Sequence, residues 1–382
     1  VGNARKFNAE GRVPTNSTGR DVLKSDSENQ WHTAEAIALM AGIAGLFHDF
    51  GKANVLFQLK LRGQRGMQEP LRHEWLSLLM FVAFVRGKSD REWLETLANI
   101  QPKDDQVCLT RLAEFQQKRE DALNNPFIQL AGMPLAQTIG WLIVSHHRLP
   151  VYPTREGKRA DEIENESDRI PKLELTKITL EHRDWFAPWN SSQCLRNDWT
   201  AEEWEQLFTF TRGTPIASQR WCDKARQLAQ RALKLPALID AEHHWLLQDH
   251  FSSHLARLSL MLADHSYSAA DKQTRWWDDR YRVYANTDKC DANGKRPLKQ
   301  RLDEHNIGVG QNALLLARQL PNLRSGLPVL VSHKTLKART KNAAYRWQDK
   351  AYDIATGLSV ASAKQGFFGV NMASTGKGKT FA

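Results

Sequence analysis

The chain has 382 residues, 41% hydrophobic and 25% charged, which is ordinary globular usage with apolar mass for a sizeable core and two domains as the first expectation. Lys and Arg outnumber Asp and Glu by 53 to 43, and the net charge of +10 favours a polyanionic partner. Four cysteines stand far apart with no CxxC pair, no apolar run is read as reaching the roughly eighteen residues of a membrane span, and Val1-Gly2-Asn3-Ala4-Arg5 is no signal peptide. A disulfide framework, a thiolate zinc finger, a coiled coil and a membrane protein are set aside, and a reducing cytoplasm is the expected compartment.

Residues 1–30 are polar and aperiodic and read as an arm or linker. From Trp31 to about His48 the chain is apolar on most sides, as a buried helix or two short ones would be; residues 73–87 and 134–147 repeat that character, the latter bracketed by Pro134 and Pro150. Residues 154–184 are highly charged and read as an exposed loop or a solvated helical insert. Helical patterns return at 201–211, 218–234 and 240–264, so the first 270 residues are expected to be all-α. Residues 271–304 are dense in Lys, Arg, Asp and aromatics and read as a basic linker. An amphipathic helix is expected from Gln311 to Leu320, followed by short strands at Leu327-Pro-Val-Leu-Val and Gly366-Phe-Phe-Gly-Val-Asn-Met, the start of an α/β unit over 305–382.

Leu46-Phe47-His48-Asp49-Phe50-Gly51-Lys52 is the sharpest local feature. An imidazole and a carboxylate end an apolar helix where both can turn toward one ion, Gly51 relieves backbone crowding, and Lys52 sets a cation beside a site suited to phosphate. His32, His73, the pair His146-His147 and Asp264 also lie on or at the edge of apolar helices, where an unpaired polar group is costly. Any one of them has an ordinary explanation, a core histidine bonded to a backbone carbonyl. Together they point to a metal centre. Imidazole plus carboxylate without thiolate suits a hydrolytic transition-metal site, and five His with two Asp suffice for two ions sharing a carboxylate. The remaining histidines, His305 among them, are assigned surface or packing roles.

Ala373-Ser-Thr-Gly376-Lys-Gly378-Lys379-Thr380 fits AxxGxGKT, a phosphate loop entered from an expected strand. Backbone N–H groups at Gly376 and Gly378 would cradle phosphates, Lys379 would reach the β and γ phosphates, and Thr380 would ligate Mg. Tyr345-Arg-Trp-Gln348 is similar to an adenine-reading Q-motif. Lys295, Arg296, Lys334, Lys337 and Arg339 are candidate DNA contacts, and Trp276-Trp277 beside Arg275 could stack bases.

The series His32, His48-Asp49, His73, His146-His147, Asp264 resembles the HD nuclease domain of the CRISPR-associated helicase–nucleases of type I systems, the third protein of the Cas set. The doubled histidine and Ala263-Asp-His-Ser-Tyr-Ser268 separate it from ordinary HD phosphohydrolases. HD domain first and superfamily-two helicase second is also the order of that family, and the wording Phe47-His-Asp-Phe-Gly-Lys-Ala53 is similar to subtype I-F, in which an adaptation subunit precedes the nuclease. The resemblance implies a mainly α fold, with an all-helical HD domain over 31–270 and the truncated start of a RecA-like domain. It implies two divalent ions (Mn, Ni, Co or Fe), one held by His32, His48, Asp49 and Asp264 and the other by His73, His146, His147 and the shared Asp49, with His48, Asp49 and Lys52 catalytic. It further implies cleavage of single-stranded DNA in the R-loop opened by an RNA-guided surveillance complex, and ATP with Mg in the helicase. Implied partners also include the CRISPR integrase subunit and phage anti-CRISPR inhibitors, with no membrane. A Val start and an end two residues behind the phosphate loop suggest a stretch of a longer polypeptide, since no Walker B motif or second RecA-like lobe follows. Two other readings are an HD phosphohydrolase of small nucleotides and a non-catalytic docking module.

Overall fold

The computed structural model describes residues 33–64, 69–148, 199–239, 245–291, 296–322, 343, 346–350 and 353. The longer helices are α1 (Ala34–Phe47), α2 (Val55–Leu61), α3 (His73–Val85), α4 (Asp90–Ala98), α5 (Asp105–Gln117), α6 (Pro134–Ser145), α7 (Gln219–Ala232), α8 (His250–Ala269) and α9 (Leu302–Gln319). Among the described residues the only β pairing is two isolated antiparallel bridges, so the mainly α expectation holds. The expected strands, the phosphate loop, the charged insert at 154–184 and the polar arm lie outside the described residues.

Helix α1 is the centre of the fold because nothing in its sequence offers a wet face. Every residue from Ala36 to Phe47 is buried, as a helix that is apolar all round must be. It is packed by α6, α7, α8 and, most extensively, α9. The α1–α9 crossing is close because glycines meet there: a Cβ on Gly45 would come within 2.7 Å of the Gly310 Cα. Ala34–Ala53 is in fact long and apolar enough to cross a membrane by length and composition, contrary to the expectation from the sequence; 89% of that window is buried in the protein, and the core role explains its hydropathy. On the outer side α4 begins with a capping box, Ser89 and Glu92 each satisfying the other's backbone N–H, and buries Trp93, Leu94 and Leu97. Neither α2, α4 nor α5 stands out in the sequence, being short or weakly periodic.

The largest departure from expectation concerns residues 271–320. Trp31–Leu320 form one compact unit and the remainder of the chain a second. The stretch expected to be a basic linker is instead an arm folded back on the unit: Ala285 N–H donates to Gln300 O at 2.9 Å and Leu302 N–H to Val283 O at 2.8 Å, with bridges pairing Tyr284 to Arg301 and Thr287 to Leu298. Helix α9, expected to open a second domain, is the principal neighbour of α1. Its first turn explains why it cannot leave: Asp303, Glu304, His305 and Asn306 are all fully buried, each held by or aimed at polar groups of the unit.

Candidate metal centre

The His-Asp pair sits where α1 ends. His48 is the C-cap residue, and Asp49 opens a tight turn over Phe50–Ala53. Gly51 is required there, because a Cβ would run into the carbonyl oxygen of His73, while its N–H donates to Ser77 Oγ at 2.8 Å. This fastens the start of α3 against the turn and brings His73 Nε2 to 3.3 Å from Asp49 Oδ1. Helix α6 delivers His146 and His147 from its C-terminal end. Arg257 of α8 caps that end, its guanidinium donating to Ser145 O at 2.9 and 2.6 Å, a cation placed on the negative pole of the helix. Two turns further along α8, Asp264 completes the pocket.

Two groups of ligand atoms result, each gathered within 4.8 Å: Asp49, His73, His146 and His147 in one, His48, Asp49, Asp264 and His305 in the other. The first is the set expected for the second ion. The second differs by one member. His32 lies outside the described residues, and the fourth donor found is His305, for which the sequence suggests a surface or packing role. Its Nε2 lies 3.2 Å from Asp49 Oδ2 and 3.3 Å from Asp264 Oδ1, with His48 Nε2 facing the same two carboxylates at 3.3 and 3.7 Å. A signal was present: Asp303-Glu304-His305-Asn306 directly before the small-residue run Ile307-Gly-Val-Gly310 puts four polar side chains on a helix that must pack closely.

The donor atoms are turned inward and left bare. His48 Nδ1–H donates to Gly45 O at 2.8 Å, His146 Nδ1–H to Ile143 O at 2.6 Å, and His305 Nδ1–H to the Gln300 side-chain oxygen at 3.1 Å, which is the tautomer that leaves Nε2 as a ligand. His48, His73, His146 and His305 Nε2 and Asp49 Oδ1 are buried with no hydrogen-bond partner, and an array of unsatisfied acceptors facing each other is unfavourable unless a cation joins them. The residues therefore fit divalent ions. Electrostatics agree. Burial with the His147 and His48 rings nearby holds His146 well below the ordinary imidazole range, and burial with His73 beside it brings His147 down to about 4, so both are neutral and able to ligate at pH 7. Burial opposes charge on Asp49, but His48 and Lys52 outweigh it and keep the carboxylate ionised. For His48, burial is likewise outweighed, by Asp49 and Asp264, and its pKa is pushed up to about 10; a proton there occupies the place a cation would take. Lys52 Nζ lies 2.5 Å from Asp49 Oδ2, at the partly exposed edge of the centre.

The other expected sites fare differently. Gln348 is in a helical stretch at 346–350, in the other unit. Gly376, Gly378, Lys379, Thr380, Lys295, Lys334, Lys337 and Arg339 lie outside the described residues. Arg296 is exposed, with its Nε on Cys290 Sγ. The two indoles expected as a base platform already have partners: Trp276 stacks with Tyr267 at 6.0 Å and has the Arg275 guanidinium over its ring at 4.6 Å, and Trp277 is covered by Arg301 at 4.0 Å.

No family model matches the chain. Curated relatives do: it is 49% identical over 383 residues to the CRISPR-associated nuclease/helicase Cas3 subtype I-F/YPEST of Pectobacterium atrosepticum, and 42% identical over 384 residues to that of Pseudomonas aeruginosa, in each case with 100% of this chain covered. Along its whole length the chain is homologous to the type I-F CRISPR nuclease/helicases. It spans 33% of the length of each of these two relatives. The sequence motifs had pointed to the same subtype.

Proposed function

We propose that this chain carries a two-ion HD phosphodiesterase site that cuts single-stranded DNA, and that the longer protein couples it to an ATP- and Mg-dependent helicase in type I-F CRISPR interference. The observation that carries the reading is the sharing of Asp49, one oxygen facing His73 and the other His48 and His305. A carboxylate common to two ligand groups is the arrangement that holds two ions close together. Such ions, when bound, supply an activated water and stabilise the leaving oxygen of a phosphodiester. The protein's own part is to fix the imidazole tautomers through Gly45, Ile143 and Gln300, to keep Asp49 ionised, and to set Lys52 where a cation meets an incoming phosphate. The relatives' names support the CRISPR assignment. On this reading the substrate strand is the one displaced in the R-loop, and the RNA-guided surveillance complex presents it.

The test is cleavage of circular single-stranded DNA with Mn, Ni, Co or EDTA, comparing the chain with Asp49→Ala. Metal-dependent nicking that vanishes in the variant is expected. Absence of cleavage with every metal would sink the proposal.

A further inference from the structure

Beside the HD turn lies a second concavity, unrelated to the ligand groups. It has a volume of about 280 Å³, and Ala53, Gln58 and Tyr284 form part of its wall. Three arginines line it, Arg62, Arg212 and Arg282, and among the described residues no carboxylate does. Each comes from a different segment: Arg62 from the end of α2, Arg212 from the loop after the helix Ala201–Leu207, and Arg282 from the arm. All three are exposed, and none forms an ion pair among the described residues. Arg212 makes no hydrogen bond among the described residues either.

The segments bearing the arginines are fastened to one another. Gln58 Nε2 donates to the carbonyls of Lys52 at 2.9 Å and Tyr284 at 2.8 Å, while Tyr284 N–H donates back to Gln58 Oε1 at 3.2 Å. Val55 N–H donates to Thr209 O at 2.9 Å, tying the Arg212 loop to the start of α2. The arginines are thus carried toward one cavity by a braced frame. Like charges brought together without a carboxylate repel, and a bound anion relieves that cost. Arginine is also the side chain whose planar fork matches phosphate oxygens. The cavity and the metal centre share one short turn, Phe50–Ala53, whose Lys52 is paired to Asp49 and whose next residue, Ala53, is part of the cavity wall.

We propose that this arginine-lined pocket holds a backbone phosphate of the single strand, a short way along from the phosphodiester placed at the metal centre. The inference rests on the single-strand DNase reading and adds to it a site that grips the strand without touching the ions. It takes a phosphodiester backbone, contributes affinity and register, and is indifferent to base sequence.

The test compares the full chain with the triple variant Arg62→Gln, Arg212→Gln, Arg282→Gln, and with Arg91→Gln as an exposed-arginine control. Binding of a fluorescein-labelled oligothymidylate is followed by anisotropy in EDTA across a salt series. Turnover of bis(p-nitrophenyl) phosphate by the metal-loaded proteins reports on the ion site alone. The triple variant is expected to bind the strand about tenfold more weakly, with a log–log salt slope shallower by about 0.7 for each phosphate it no longer neutralises. Its small-diester turnover is expected to match the parent's, and for DNA cleavage KM should rise while kcat stays. A triple variant with parental affinity and slope would overturn the pocket and leave the nuclease reading standing. A parent chain that hydrolyses the small diester but neither binds nor cuts single-stranded DNA would overturn both.

Discussion

His305 Nε2 lies 3.2 Å from Asp49 Oδ2, joining the last long helix of the unit to the turn that ends the first. The contact makes α9 a wall of the metal centre. His305→Ala is therefore expected to lower metal stoichiometry from two ions to one, because the group of His73, His146 and His147 keeps its own imidazoles. Asp49→Ala should remove both. Metal analysis after desalting checks this, and full occupancy in His305→Ala would refute it.

Gln300 acts one step behind. Its side-chain oxygen accepts from His305 Nδ1 at 3.1 Å, while its amide nitrogen donates to the carbonyls of Tyr267 at 2.8 Å and Ala270 at 3.0 Å. The amide is thus held in one orientation, which fixes the His305 tautomer. Gln300→Leu should free that ring and weaken metal affinity about 10–100-fold, as removal of an outer partner of a ligand does. Calorimetric titration with Mn and histidine-selective ¹⁵N spectra of the metal-free chain would report affinity and tautomer separately.

Arg257 offers a different kind of support. Replacing it by Met removes charge-assisted bonds to the Ser145 carbonyl and leaves that oxygen buried without its donor, a cost of about 1.5–3 kcal/mol. The melting temperature should fall, and Lys should restore part of it by supplying a cation at the same helix end.

The pH dependence of stability can be read at Asp105. Burial raises its pKa from 3.8 to about 6, against the hydrogen bonds it receives from the hydroxyl and N–H of Thr214. With the folded value above the unfolded one, this group's stabilisation is complete below pH 4 and disappears as pH rises through 6. Asp105→Asn keeps an oxygen for Thr214 and removes the buried charge. It should be near neutral at pH 4 and stabilising by about 1–3 kcal/mol at pH 8, measured by urea unfolding in EDTA. An equal effect at both pH values would contradict the assignment.

Packing at the α1–α9 crossing sets a steric limit. A Cβ at Gly45 would lie 2.7 Å from Gly310 Cα and 2.8 Å from its nitrogen, backbone atoms that cannot rotate away. Gly45→Ala should destabilise by about 1–3 kcal/mol through overpacking, despite the better helix propensity of alanine. A thermal melt decides it.

Much of this was readable from residues alone. The all-apolar run ending in His48-Asp49, the histidines at the ends of α3 and α6, and Asp264 at the end of an apolar turn each mark a polar group that burial would punish unless it had a task. The signal at His305 is a weak one for a physical reason. A histidine between Glu304 and Asn306 reads as a surface residue, and it is the packing of α9 against α1 and against Tyr267 of α8 that buries it. The arm was misread because its Lys and Arg content suggested a solvated connection, whereas its backbone pairs with itself and its Gln300 turns inward.

The position of α9 has a consequence for how the protein comes into being. The ligands run from His48 to His305, and the last to be synthesised arrives on the helix that closes the core. A nascent chain can have α1, α3 and α6 outside the ribosome, with Asp49, His73, His146 and His147 in place, and still lack the group of His48, Asp49, Asp264 and His305. That second group is completed only when α9 docks, so a prematurely terminated fragment lacking the helix offers a full ligand set to one ion and not to two.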